Sequence, residues 1–329
     1  LYVTKNSAPR EVFLSKLKKN KIRNVQINNL FSGSGSFTET HNNYFDSLIV
    51  DEAHRLNEKS GMFSNLGENQ VKEIIISSKF SVFFIDERQR IHTKDKGSIE
   101  EIKKWANKYH AVIIEDELVS QFRCNGSDGY LAWIDNVLQI RETANETFDL
   151  DFDYDFKVVD TPQEVRDYIF EKNQINNKAR MIAGYCWDWD KKNKNNPDHH
   201  DIVIDKHDFR MSWNLGNTAT YAIDEESVKQ IGCIHTTQGL EFDFVGIIIG
   251  EDMRFENGQV ITDLFKRAKT DKSLNGIKGL YKKNPEEAKK IADEIIKNTY
   301  RTLLTRGQKG CVVYCVDEEL ASYLSSFIQ

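Results

Sequence analysis

The chain has 329 residues, with 45 Lys and Arg against 51 Asp and Glu, a net charge of −6 that argues against nucleic-acid binding by bulk charge alone. A local basic groove stays open. Hydrophobic residues make up 39% and charged residues 29%, which excludes a disordered tail, and no apolar run approaches the ~20 residues of a membrane span.

At about 150 residues per domain, the length predicts two domains. The chain opens Leu1-Tyr2-Val3-Thr4, without an initiator Met or a charged leader region, and the expectation is that residues upstream are missing. Short apolar runs follow in order: Ser47–Val50, Ser81–Ile85, Ala111–Ile114, Phe156–Val159, Arg180–Tyr185, Phe244–Ile249 and Gly310–Tyr314. Runs of this kind suit strands buried on both faces of a parallel sheet. Helices fit between them. Thr161-Pro162-Gln163-Glu164 reads as an N-cap, a Pro at the first helical position and a Glu closing a capping box. Asn284-Pro285-Glu286-Glu287 makes a similar start, and Gly307 supplies a stop. The prediction is an α/β fold with mostly parallel sheets, a boundary near residue 117, domains over 1–117 and 118–329, and insertions near 190–225 and 253–285. Lys191–Pro197 reads as a polar loop and Phe265–Lys283 as a surface insertion.

The five cysteines form no C-x-x-C pair. Cys311 and Cys315 sit in an apolar run and read as buried free thiols, which fits a reducing cytoplasm.

Five segments carry candidate chemistry. Leu48-Ile49-Val50-Asp51-Glu52-Ala53-His54 is an apolar strand ending in two carboxylates, the Walker B arrangement. At the carboxyl end of such a strand, Asp51 is placed to hold Mg²⁺ and Glu52 to orient and deprotonate water; the competing reading is a solvated strand end. Phe83-Phe84-Ile85-Asp86-Glu87-Arg88-Gln89-Arg90 repeats strand-then-acid 35 residues on, from Asp51 to Asp86. Its Gln89 is a neutral amide able to bridge a phosphate or water to a neighbouring loop. Glu117-Leu118-Val119-Ser120-Gln121-Phe122-Arg123 offers a permanently charged, bidentate guanidinium at the start of the second domain. Gly232 to Val245 holds a polar loop turning at Gly239 before a buried strand. Asn298 to Gly307 places Arg301 and Arg306 near a helix end, where the helix dipole alone also favours cations.

In order, these segments look like motifs II to VI of superfamily 1 helicases. More closely, the chain resembles the Schlafen-group-3-like DNA/RNA helicase domain found in many bacterial proteins. The opening Tyr2-Val3-Thr4-Lys5-Asn6-Ser7-Ala8-Pro9-Arg10 matches the motif Ia of that family, and the resemblance runs essentially end to end. It implies two RecA-like domains in a P-loop ATPase. It implies that Asp51 and Glu52 are the Mg²⁺ and water carboxylates. Gln89 would sense the γ-phosphate, and Arg123 and Arg306 would be cross-domain arginine fingers. Gln238, Gly239 and Glu241 would lie near the nucleotide. Thr4, Asn6, His235, Thr236 and Thr237 would contact the backbone of single-stranded DNA or RNA.

One departure is serious. The string G-x-x-x-x-G-K-[ST], whose amides and Lys cradle phosphates, is absent. Phe31-Ser32-Gly33-Ser34-Gly35-Ser36-Phe37 has glycines and no Lys. The expectation is that the Walker A loop lies upstream and that these 329 residues alone hydrolyse ATP negligibly.

Three functional readings follow. The first is an ATP-driven translocase on single-stranded nucleic acid, with Lys16–Arg23 and Lys266–Lys283 as further phosphate contacts or as plain solvated surface. The second is a nucleotide-gated switch or docking module that unwinds nothing, favoured by the acidic charge. The third is a metal-dependent hydrolase or nuclease built on Asp198, His199, His200 and Asp201. Trp187, Trp189 and Trp213 are read as packing residues rather than base-stacking ones.

Overall fold

A computed structural model describes residues 1–329 except 19–23, 62–63, 119–123, 125–127, 145–153, 217–219 and 329. It divides into two compact units, Leu1–Glu117 and Leu118–Gln329.

The first unit runs β1 (Tyr2–Thr4), α1 (Ser7–Lys18), α2 (Asn24–Asn28), β2 (Phe31–Ser32), β3 (Phe45–Asp51), α3 (Gln70–Ser77), β4 (Ser78–Phe83) and α4 (Ile99–Lys108). Among the described residues its sheet has the order β2-β1-β3-β4, and every pairing is parallel. Val3, Leu48 and Val50 from the sheet pack with Val71 and Ile74 of α3 and with Trp105 of α4. The helices start where side chains satisfy their first amides: Asn69 accepts from Lys72 N, and Ser98 from Glu101 N.

Ala111–Ile114 departs from expectation. It forms no strand, and Val112 and Ile114 are 90% and 85% exposed. An apolar run becomes a strand only with a ladder partner, and this one has none among the described residues. Ile49 also faces outward at 38% exposure, so β3 alternates instead of being buried on both faces.

The second unit runs α5 (Asp128–Val137), β5 (Asp155–Val158), α6 (Pro162–Asn176), β6 (Ala179–Ala183), β7 (Ile202–Ile204), β8 (Phe209–Met211), β9 (Ile231–Gly232), α7 (Ile234–Thr237), β10 (Phe242–Ile249), β11 (Met253–Glu256), β12 (Gln259–Thr262), α8 (Ile277–Lys283), α9 (Pro285–Leu304), β13 (Gly307–Cys315) and α10 (Glu318–Ser325). Its main sheet has the order β5-β13-β10-β6-β9, again parallel throughout. Here the runs of β6, β10 and β13 are buried as expected, with β10 and β13 at the centre, whereas β5 at the sheet edge is only partly buried. The Thr161–Glu164 capping box and the Asn284 cap both form. Antiparallel hairpins β7–β8 and β11–β12 occupy the two regions read as insertions.

Phe265–Lys283 is more than surface. Arg267 is 5% exposed and donates to Asp252 Oδ2 and Asp271 Oδ2, both at 2.8 Å, and to Ser273 Oγ at 3.0 Å. Burial alone would lower the guanidinium; the two carboxylates beside it instead hold it above its ordinary value. The buried ion pairs fix the segment to the end of β10. Composition hides this, because a Lys-rich loop reads as solvated whichever single residue turns inward.

The cysteines are free, and burial pushes the Cys311 and Cys315 thiols up. No helix among the described residues is long and apolar enough to cross a membrane.

Candidate functional site

Parallel strands put their carboxyl ends on one edge of the sheet, where loops meet ligands. In the first unit, Thr4 pairs with Asp51 and Val50 with Phe83, so motif Ia, the two carboxylates and the Gln89 loop leave the sheet side by side. Ala53 N donates to Phe84 O and Phe84 N to Val50 O, both at 2.8 Å, which stitches the last two loops together.

Asp51 accepts from the Tyr2 hydroxyl and, at 2.9 Å, from Glu52 N. Burial, this hydrogen bond and the carboxylate charge push the Tyr2 phenol up. Glu52 adopts φ 52° and ψ 46°, the left-handed region that costs a non-glycine residue roughly 1–2 kcal/mol. Its carboxylate is 8% exposed, with Oε2 3.0 Å from His54 Nε2. Gln89 is 3% exposed, and its Nε2 donates to Asp86 Oδ2 at 2.9 Å.

Residues that sequence reasoning missed support this edge from behind. Asp95 is fully buried. It accepts from Lys5 Nζ at 3.0 Å and faces Arg55 Nε at 3.1 Å, while Lys5 also donates to Asn57 at 2.7 Å. Burial lowers the Lys5 ammonium despite Asp95. Burial alone would raise the Asp95 carboxyl, but Arg55 and Lys5 hold it below its ordinary value. The carboxylate is therefore the stabilised member, and Lys5 bears the desolvation cost. A depressed folded-state carboxyl contributes stability above its unfolded value of about 4, and that stability is lost as pH falls through the folded value. Urea unfolding between neutral pH and pH ~3 should show an acid limb in wild type that Asp95→Asn flattens. Equal pH slopes in the two proteins would contradict the assignment. Asp95 has no motif to betray it; only Lys5, within the motif Ia run, carried a signal.

Gly97 closes the same support. A Cβ there would stand 1.8 Å from Ala53 O and 3.1 Å from His54 Cα. These are backbone atoms, so no rotamer relieves the clash. Gly97→Ala should destabilise the first unit by roughly 3 kcal/mol or more, read by denaturant unfolding. A change under ~1 kcal/mol would mean that the turn holding Glu52 yields easily.

In the second unit, β9 exits into Cys233 and the short α7. Thr236 and Thr237 are buried, and their hydroxyls donate to Cys233 O at 2.9 and 3.0 Å, while Cys233 N donates to Thr236 Oγ1 at 2.9 Å. Both threonines shape the loop. His235 is half-buried, 6.0 Å from the Tyr185 ring. Gln238 is fully buried, Gly239 turns the chain at φ 78°, and Glu241 is exposed.

Arg306 is 1% exposed. Its guanidinium donates to Thr302 O at 3.1 Å and Leu240 O at 3.2 Å, and its own carbonyl accepts from Phe242 N at 3.0 Å. It clamps the end of α9 to the start of β10. Arg301 pairs instead with the fully buried Asp135 of α5, which also accepts from Arg141 at 2.8 Å. Arg123 lies outside the described residues. The histidine cluster of the third reading brings His199 Nε2 to 3.4 Å from Asp201 Oδ1, and no group of metal ligands occurs among the described residues. Trp187 and Trp213 donate to the carbonyls of Val203 and Gly232, as packing residues do.

The sequence model of the Schlafen group 3 DNA/RNA helicase domain matches residues 1–317. The chain belongs to this family. Its α/β architecture, with parallel sheets flanked by helices, is consistent with the RecA-like domains expected of a Schlafen group 3 helicase domain. An uncharacterized protein of Saccharomyces cerevisiae is similar, at 25% identity over 307 residues that cover 85% of this chain. The chain spans 64% of the length of that yeast relative. Membership in the family suggests a helicase-like function on nucleic acid.

Proposed function

We propose that this domain is the motor of an ATP-dependent translocase or helicase acting on single-stranded DNA or RNA. The observation that carries the reading is the side-by-side exit of Thr4, Asp51–Glu52 and the Gln89 loop from one parallel sheet in a chain of the helicase-domain family.

The residues fit one end of a Mg²⁺–ATP complex. Asp51 sits half-buried at a strand exit, and two single donors leave its carboxylate with lone pairs for Mg²⁺, directly or through water. Bound Mg²⁺ would neutralise charge on the phosphates. Glu52, pinned by its backbone conformation and facing His54, orients water and takes its proton. Gln89, held by Asp86, relays phosphate occupancy into the loop tied to Ala53. In the second unit Gly239 and the exposed Glu241 are the candidates for nucleotide contact, the fully buried Gln238 supports their turn, and Asn6 and His235 touch the strand. Thr236, Thr237 and Arg306 act by holding loops in shape. The other end of the nucleotide is different: no lysine-bearing phosphate loop occurs in these 329 residues, so alone they should bind ATP weakly and turn it over negligibly.

The test is ATP hydrolysis by a longer form that carries such a loop, with and without single-stranded DNA or RNA. Turnover stimulated by a strand supports the motor. Turnover indifferent to nucleic acid favours a nucleotide-gated switch, and no turnover at all sinks the enzyme reading.

A further inference from the structure

β1 pairs Tyr2 with Ile49 and Thr4 with Asp51, so these four side chains stand on the sheet face opposite Val3, Leu48 and Val50. Two residues along a strand cover about 6.6 Å, close to the reach of a phenol from its own Cα. A tyrosine at position 2 therefore carries a hydroxyl to the level of Asp51. A serine or threonine there would fall short, and a phenylalanine would bring no donor. The Tyr2 hydroxyl does donate to Asp51 Oδ2, while Glu52 N donates to Oδ1 at 2.9 Å.

The ring is held in place by two others. Phe31 of β2, in register with Tyr2, meets it edge-on at 5.6 Å between centroids, and Phe13 of α1 does so at 6.0 Å. The two phenylalanines stack on each other at 6.1 Å. Contacts of this kind contribute roughly 0.5–1.5 kcal/mol each beyond the area they bury, so packing aims the phenol along the strand.

Asp51 is only half-buried, and water would satisfy its carboxylate. Burial therefore does not demand the phenol; what the phenol adds is direction. With one amide on Oδ1, the carboxylate still turns about that anchor. A second donor, on Oδ2, fixes its plane, and each oxygen keeps a lone pair beyond its donor. Partners that orient a metal-binding carboxylate from behind matter to affinity: losing one typically costs about 10–100-fold.

We propose that Tyr2 is a positioning residue, whose hydroxyl fixes the plane of the Asp51 carboxylate for Mg²⁺. The proposal rests on the reading of Asp51 as the Mg²⁺ carboxylate and adds the residue that orients it. Tyr2 acts through Asp51, with Phe13 and Phe31 holding its ring.

The experiment uses the longer form that carries a phosphate-binding lysine loop and compares wild type, Tyr2→Phe and Asp51→Asn. A fluorescent, non-hydrolysable ATP analogue is titrated once in EDTA and once in Mg²⁺, and the Mg²⁺ concentration giving half-maximal turnover is measured alongside. Tyr2→Phe keeps the ring among its aromatic neighbours, and urea unfolding checks that the fold persists. In EDTA its affinity for the analogue should match wild type. In Mg²⁺ its affinity should fall, and half-maximal turnover should need about tenfold more Mg²⁺, with excess Mg²⁺ recovering turnover. If Asp51→Asn shifts the Mg²⁺ dependence and Tyr2→Phe does not, Tyr2 is no positioning residue and the metal reading of Asp51 survives. Equal weakening by Tyr2→Phe with and without Mg²⁺ would make the hydroxyl a purely structural contact and overturn the proposal. A Mg²⁺ dependence unchanged in Asp51→Asn overturns both readings.

Discussion

Glu52→Gln, placed in a form of the protein that carries a phosphate-binding lysine loop, is expected to lower kcat for ATP by about 10²–10⁴-fold, the range of a lost general base. The amide is isosteric, so packing against His54 persists while the basic oxygen is gone. Nucleotide affinity should stay within about threefold, since the lost interaction belongs to the transition state more than to the ground state. The left-handed backbone at Glu52 sharpens the expectation. A residue held at that cost, nine-tenths buried and beside a metal-competent carboxylate, has no surface role that would explain its placement. Single-turnover hydrolysis together with equilibrium nucleotide binding separates the two effects. Turnover within about threefold of wild type would remove Glu52 from the chemistry and leave the water to another group.

The second large effect concerns stability. Asp135→Ala should destabilise the second unit by roughly 3–5 kcal/mol, because it strands the Arg301 guanidinium in the interior. Arg301 is 4% exposed, and Asp135 is fully buried beneath it. Breaking one side of a buried pair leaves an uncompensated charge, whereas replacing both partners does not. The double variant Asp135→Leu with Arg301→Met should therefore recover most of the loss. Chemical denaturation of the four proteins of the cycle gives the coupling energy. A single-variant cost under ~1 kcal/mol would mean that Arg301 finds water or another acceptor, and the pair would then have no structural weight.

Pattern carried the architecture far because the strongest signals are local. Leu48–Val50 before Asp51-Glu52, and the apolar run from Phe244 to Ile249, each announce a strand end through hydrophobic periodicity alone. Caps at Thr161 and Asn284 depend on neighbours three residues away, so they too are legible. Ala111–Ile114 failed for the opposite reason: its composition is that of a strand, but strand identity is conferred by a partner that sequence adjacency does not reveal.

The candidate site divides the same way. The order of motifs named Asp51, Glu52 and Gln89, and these residues leave one sheet edge because parallel strands share a carboxyl end. Motif order did not reveal that Thr236, Thr237 and Arg306 are turned onto backbone carbonyls. It gave no sign that Asp95 and Asp135 anchor the arginines of their units. By itself, the sequence determined the α/β class, the capped helix starts and the strand ends at Asp51 and Ile249, since these follow from interactions between near neighbours along the chain. Only the tertiary structure decided which polar groups are buried, which are paired and which remain without a partner, because those depend on segments tens of residues apart meeting in a low-dielectric interior, where every unpaired group is costly.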